Sequence, residues 1–179
     1  MIANANKKKE VLLDSSSAIL LEKTGLLDDL LDIYHVILCD AVFQELTENS
    51  YPSAELFRDL HQETALSVCP APADHGIQYT WSEISVLDIG ERETILSFMN
   101  GTADFIMLDD GKGAKFCKKN RLPFINALLF PVILGYCGRL SSTNKDLKFN
   151  QIRELGRYSR RIVDLAGAAS LPDLERFMP

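Results

Sequence analysis

Short unbroken apolar runs alternate with segments of helical apolar spacing along the first 140 residues of the chain. The runs are Val11–Leu13, His35–Cys39, Leu66–Cys69, Phe105–Leu108 and Leu122–Ile125. Runs this short, bounded by polar or turn residues, predict strands buried on both faces, as in a parallel sheet. Between them the spacing predicts helices over Ala18–Lys23, Leu26–Tyr34, Ala41–Glu48 and Pro52–His61. Further helices follow from Gly90 to Asn100-Gly101, over Gly111–Asn120 and over Ala127–Gly138. Ser15, Ser16 and Ser17 are N-cap candidates for the first helix, and Asp40 for the one starting at Ala41. Residues 70–84, which contain Trp81, read as irregular. Strands alternating with helices predict an α/β fold, a three-layer α/β/α sandwich around a central, mostly parallel sheet.

Beyond Leu140 the pattern changes. Ser141–Lys145 reads as a polar linker, and residues 147–168 as one long C-terminal helix with an apolar stripe of Ile152, Leu155, Ile162 and Val163. Arg153, Arg157, Arg160 and Arg161 share its other side, a basic face suited to solvent, to an RNA backbone or to an acidic partner. The expected organisation is a flexible leader over residues 1–10, a domain over 11–140, and a linker with a helical extension over 141–179.

Composition narrows the class. A chain of 179 residues with 46% hydrophobic content suffices for one well-buried domain. No apolar run approaches the roughly 20 residues of a membrane span; the nearest, Ala127–Cys137, is too short and contains Pro131. The N-terminus carries lysines without the apolar stretch of a signal peptide, so a cytoplasmic location is expected. Four scattered cysteines, with no CxxC pair, read as buried thiols rather than a zinc site or a disulfide framework. The net charge of −6 weighs against non-specific nucleic-acid affinity. It leaves a nuclease open, because metal-binding acids are neutralised by the ions they hold.

The chemistry-bearing residues are acids at strand and helix ends. Asp14 closes the first strand, and Asp109 and Asp110 close the fourth. In a parallel sheet these open on the same edge, where ligands of such sheets collect. Glu45 lies about one and a half turns into the helix after the second strand, and Glu91 sits at a helix N-terminus. Carboxylates converging on one edge repel unless they are protonated or bound to cations. An oxygen-only donor set selects hard ions such as Mg²⁺ or Mn²⁺, which serve in-line attack on phosphorus. Each acid also has a plainer reading: Asp14, Asp109 and Asp110 as helix caps, Glu45 as a solvated helix residue, and Glu91 and Glu93 as favoured by the helix dipole.

In combination, VLLDSSSAI, VILCDAVFQEL, LDIGERETI and FIMLDDGKGAKFCKKNRLPFIN resemble the PIN domain, over about residues 10–140. The arrangement of LDxGE followed by LDD is similar to one bacterial and archaeal branch of that family, which includes the VapC-like toxin ribonucleases. The resemblance implies a metal site of Asp14, Glu45, Glu91 and Asp110, with Asp109 adjacent and Ser16 as the supporting hydroxyl. Glu93 competes with Glu91. Leu108 stands where relatives carry Thr or Ser, and Lys112 or Lys115 stands in for an Arg that often follows the last Asp. The resemblance further implies Mg²⁺- or Mn²⁺-dependent RNA cleavage, homodimerisation and a small antitoxin protein as partner. Lys112, Lys115, Arg153 and Arg157 are the candidate RNA contacts. The alternative is a non-catalytic PIN-like binding or assembly module whose acids persist as caps. Phosphoryl transfer through an aspartate nucleophile fits less well, since Ser16 stands where a second Asp is needed.

Overall fold

Five strands, β1 (Glu10–Leu13), β2 (His35–Cys39), β3 (Leu66–Cys69), β4 (Phe105–Met107) and β5 (Phe124–Ile125), pair in parallel in the order β3-β2-β1-β4-β5. The structure, a computed structural model, describes residues 7–48, 50–72 and 84–179; most of the predicted irregular segment around Trp81 lies outside them. Alternate side chains of the central strands feed opposite faces. Val11, Leu13, Phe105 and Met107 enter the main apolar cluster, while Ile106 and Leu108 enter a second one with Ile95, Phe116 and Cys117. Burial on both faces is why these strands read as continuous apolar runs rather than alternating ones. Ten helices among the described residues complete the three-layer α/β/α sandwich.

Helices α1 (Ser15–Lys23), α2 (Leu27–Ile33), α3 (Asp40–Thr47) and α4 (Ala54–Gln62) follow the predicted spacing. So do α5 (Ile89–Met99) and α6 (Gly111–Lys119). Two caps differ from expectation. Asp14 itself, not one of the three serines, caps α1 by accepting from the Ser17 N–H at 2.8 Å. Asp40 is the first residue of α3 rather than its cap, and the Ala41 N–H donates instead to the Glu93 carboxylate of α5 at 3.0 Å. The predicted helix over Ala127–Gly138 divides into a 3₁₀ turn, Ala127–Leu129, and α7 (Phe130–Tyr136), with Pro131 in its first turn. Among the described residues no helix is long and apolar enough to cross a membrane. All four cysteines are free; Cys39 and Cys117 are buried, and Cys69 and Cys137 half-buried.

The C-terminal region departs most from its pattern. The polar run after Leu140 is helical: Ser141 caps α8 (Ser142–Leu155). The single long helix expected over 147–168 is broken at Gly156, and α9 (Arg160–Gly167) restarts after the Ser159 cap. A short α10 (Leu171–Leu174) and a final 3₁₀ turn follow. The break has a local cause: a Cβ at Gly156 would overlap the ring of Tyr158, which folds back over it. Breaking the helix also splits the expected apolar stripe, so that Ile152 is buried while Leu155 and Ile162 are exposed. The segments nevertheless dock on the domain, since Ile152, Ala166 and Leu174 belong to the main apolar cluster. Phe177 stacks edge-on against Phe105 of β4, with ring centroids 5.3 Å apart.

If this docking is integral to the fold, truncating its most buried anchor should destabilise the whole molecule. Ile152→Ala is expected to cost about 2–5 kcal/mol, the usual range for a fully buried Ile, measured by denaturant unfolding followed through the domain's circular dichroism.

Candidate functional site

Between β1 and β4 the strand order reverses, so the connections leaving their carboxyl ends diverge to opposite sides and open a crevice. The register sets Leu13 opposite Met107, which brings the next residues of both strands together. The Asp14 N–H bonds the Met107 carbonyl at 3.0 Å, and the Asp109 N–H reaches Asp14 Oδ2 at 3.4 Å. Two carboxylates therefore sit side by side at the crevice floor, with Asp14 only 3% exposed.

Each of the two is held by N–H and O–H donors. Asp14 Oδ1 takes the Ser17 N–H at 2.8 Å. Asp109 accepts the Ser17 hydroxyl at 2.6 Å, the Ala127 N–H at 3.1 Å and the Tyr158 hydroxyl. Those donors come from α1, the 3₁₀ turn after β5, and the loop between α8 and α9.

A second acidic pair stands beside the first. Asp88 caps α5 through a capping box: its carboxylate accepts the Glu91 N–H at 2.8 Å, and Glu91 returns its own to the Asp88 N–H at 3.3 Å. Glu91 is 5% exposed and also accepts the Gly113 N–H of α6 at 3.3 Å. Asp110 caps α6 through the Lys112 N–H at 2.6 Å and shares a hydrogen bond with Glu91. Gly113 makes room for this approach. A Cβ at Gly113 would lie 3.0 Å from Glu91 Oε1, and one at Gly90 would lie 3.7 Å from Glu45 Oε2. Glu45 itself is exposed on α3 and reaches toward the start of α5.

Asp14 and Asp109, and Glu91 and Asp110, are thus in contact as pairs, with Glu45 at the rim. The hydroxyl that bonds Asp109 is that of Ser17, and Ser16 is exposed. Glu93 faces α3 as its cap rather than the Glu91–Asp110 pair. Leu108 is fully buried in the second apolar cluster, where its side chain and Glu91 Oε1 both border Gly113. Lys112 and Lys115 are exposed on α6, and Arg153 and Arg157 are exposed on the C-terminal segments. Tyr158 was not legible from the sequence; its only signal is the Gly two positions before it. Beside Asp109 lies an open, largely apolar groove of about 800 Å³, flanked by Lys115, Lys118 and Arg161.

Electrostatics sets these carboxyls apart. Burial, then the neighbouring Asp109 charge, lifts Asp14 to about 7. Burial raises Asp109 as well. Burial and the hydrogen bond to Asp110 lift Glu91 to about 8, and the same bond lowers Asp110. None of the Lys or Arg residues among the described residues forms an ion pair with Asp14, Glu91 or Asp109. Among the described residues no three acids, His or Cys already stand in a metal-holding arrangement. The donor chemistry nevertheless suits a hard divalent cation: oxygen-only, acidic and held by helix N-termini.

A family model described as PIN domain matches residues 10–140. No curated protein matches the chain.

The raised carboxyls carry a pH signature. A carboxyl that holds its proton more tightly folded than unfolded makes stability fall as pH rises. For Asp14 the window runs from 3.8 to about 7, and for Glu91 from 4.5 to about 8. Metal-free protein is therefore expected to melt at progressively lower temperature from pH 4 to pH 8, and millimolar Mn²⁺ should reverse most of the loss at the upper end. Calorimetric melting curves across that range, with and without Mn²⁺, check both parts.

Proposed function

The chain belongs to the PIN-domain family, and from that membership and its acidic crevice we propose that it is a Mg²⁺- or Mn²⁺-dependent endoribonuclease. PIN domains are generally nucleases that work with divalent ions, so nucleic acid is the substrate class that membership implies. The observation that carries the proposal is the gathering of acids at the strand-order reversal: the Asp109 N–H on the buried Asp14 carboxylate, and Glu91, also buried, hydrogen-bonded to Asp110.

In this reading Asp14, Glu45, Glu91 and Asp110 hold the ion, with Asp109 adjacent. A bound Mg²⁺ or Mn²⁺ supplies Lewis-acid chemistry there, lowering the pKa of water and offsetting phosphodiester charge. The remaining work falls to the chain's own groups. Ser17 and the Ala127 N–H keep Asp109 oriented, and the capping box keeps Glu91 turned inward. Glu91 holds a proton against Asp110 until the site is loaded. Lys112, Lys115, Arg153 and Arg157 contact phosphates of the strand, and the groove flanked by Lys115 and Arg161 takes part of its length. The domain over residues 11–140 houses the reaction, and the segments after 140 close one side of it. We assign it, on the resemblance, to the VapC-like branch: a cytoplasmic toxin that forms a homodimer and is restrained by a small antitoxin protein.

A non-catalytic binding module is the second reading. It draws support from the absence of a ready three-acid cluster among the described residues and from the caps that Asp14 and Asp110 already provide. Single-stranded RNA incubated with full-length protein and Mn²⁺ separates the two. The nuclease reading expects cleavage that Asp14→Asn reduces to the level of the metal-free protein. Undiminished cleavage by Asp14→Asn would sink the assignment, and no Mn²⁺ binding at millimolar concentration would favour the module.

A further inference from the structure

The family match ends at residue 140, but the hydrogen bonding of the acidic crevice does not. Tyr158, in the loop between α8 and α9, donates its hydroxyl to Asp109 Oδ1. On the same carboxylate Oδ2 takes the Ser17 hydroxyl at 2.6 Å and the Ala127 N–H at 3.1 Å. Three donors from three separate elements thus fix Asp109, and the N–H of Asp109 points at Asp14 Oδ2. We infer that Tyr158 is a positioning residue for the acidic site: by pinning Asp109 it holds the backbone that orients Asp14. This rests on the metal-nuclease reading above.

Three features mark the contact as built in rather than incidental. The Tyr158 ring is half-buried and packs against the main apolar cluster, so its hydroxyl has a fixed origin. Gly156 breaks the helix where a side chain would overlap that ring. The C-terminal segments are anchored independently through Ile152, Ala166 and Leu174, so the loop that carries Tyr158 is held from both sides. The Tyr158 hydroxyl bonds Asp109, and Asp14 lies close enough for its charge to act on that hydroxyl as well.

Outer partners that orient a metal's ligands typically account for a tenfold to hundredfold share of affinity. Calorimetric titration of the full-length protein with Mn²⁺ tests the inference without any turnover. Tyr158→Phe keeps the ring and removes the hydroxyl; Gly156→Ala keeps the hydroxyl and displaces the ring. Both are expected to bind Mn²⁺ at least about tenfold more weakly than the unmodified chain, with cooperative melting retained. Tyr136→Phe is the control for mere loosening of the extension, since that hydroxyl donates to the Ala169 carbonyl at 3.1 Å; its affinity should be unchanged. Unchanged or tighter binding by Tyr158→Phe overturns the inference, tighter binding pointing to an obstructing role instead. Equal weakening by Tyr136→Phe overturns it as well. If Gly156→Ala does not fold, Tyr158→Phe decides alone. Should the unmodified chain bind no Mn²⁺, the nuclease reading fails first and the positioning role falls with it, an outcome distinct from a variant that binds normally.

Discussion

The parallel pairing of β1 with β4 is the constraint on which the rest of this site depends. It forces Asp14 and Asp109 to emerge side by side, Asp14 buried and Asp109 half-buried beside the open groove. Burying one ionised carboxylate is costly, and burying two in contact is costlier, unless donors, protons or cations compensate. The fold answers with donors first. Ser17 supplies an N–H and a hydroxyl, the turn after β5 supplies the Ala127 N–H, and the C-terminal loop supplies Tyr158. Each donor ties a different element to the strand ends, so the electrostatic problem of the acids also organises the packing around them.

The second acidic pair answers the same problem in another way. Glu91 and Asp110 share a hydrogen bond that raises one and lowers the other, so that one carboxyl keeps its proton while its neighbour stays charged. Carboxyls whose surroundings push them apart in this manner are a recurring sign of chemistry, because a single bound cation can replace the proton and satisfy both. The geometry requires backbone to approach a carboxylate closely, which is where Gly113 stands. Asp88 completes the arrangement by taking over the capping of α5, which leaves the Glu91 carboxylate directed at Asp110 and α6.

Much of the architecture was legible because buried parallel strands leave an unambiguous trace. β2 and β3 occupy the residues their apolar runs predict, and the acids closing β1 and β4 follow from the same pattern. The support of those acids was less legible. Ser16 and Ser17 are adjacent and chemically identical, and only the helical phase set by the Asp14 cap turns Ser17 inward. Glu93 looked equivalent to Glu91 until the packing of α3 against α5 directed it to the Ala41 N–H. Leu108 reads as a missing hydroxyl, and its side chain packs in the second apolar cluster, beside Gly113 and on the side of Glu91. In each case local spacing was right and the deciding fact was a contact between elements distant in sequence.

The broken C-terminal helix carries this point further. Residues 147–168 have helical spacing and good helix formers on both sides of Gly156, and propensity alone would let a helix run through a single glycine at a cost of about 1 kcal/mol. It does not run through, because the Tyr158 ring occupies the space beside Gly156 and its hydroxyl reaches a buried carboxylate. A hydrogen bond to a carboxyl contributes about 0.5–1.5 kcal/mol when the acceptor is neutral and about 1.5–3 kcal/mol when it is charged, which favours the break. Departures of this kind, where a local preference gives way to a distant polar contact, are expected at functional or strained sites rather than in ordinary packing. The place where the sequence pattern fails is therefore the place where the extension meets the acids, and the failure itself links the two halves of the molecule.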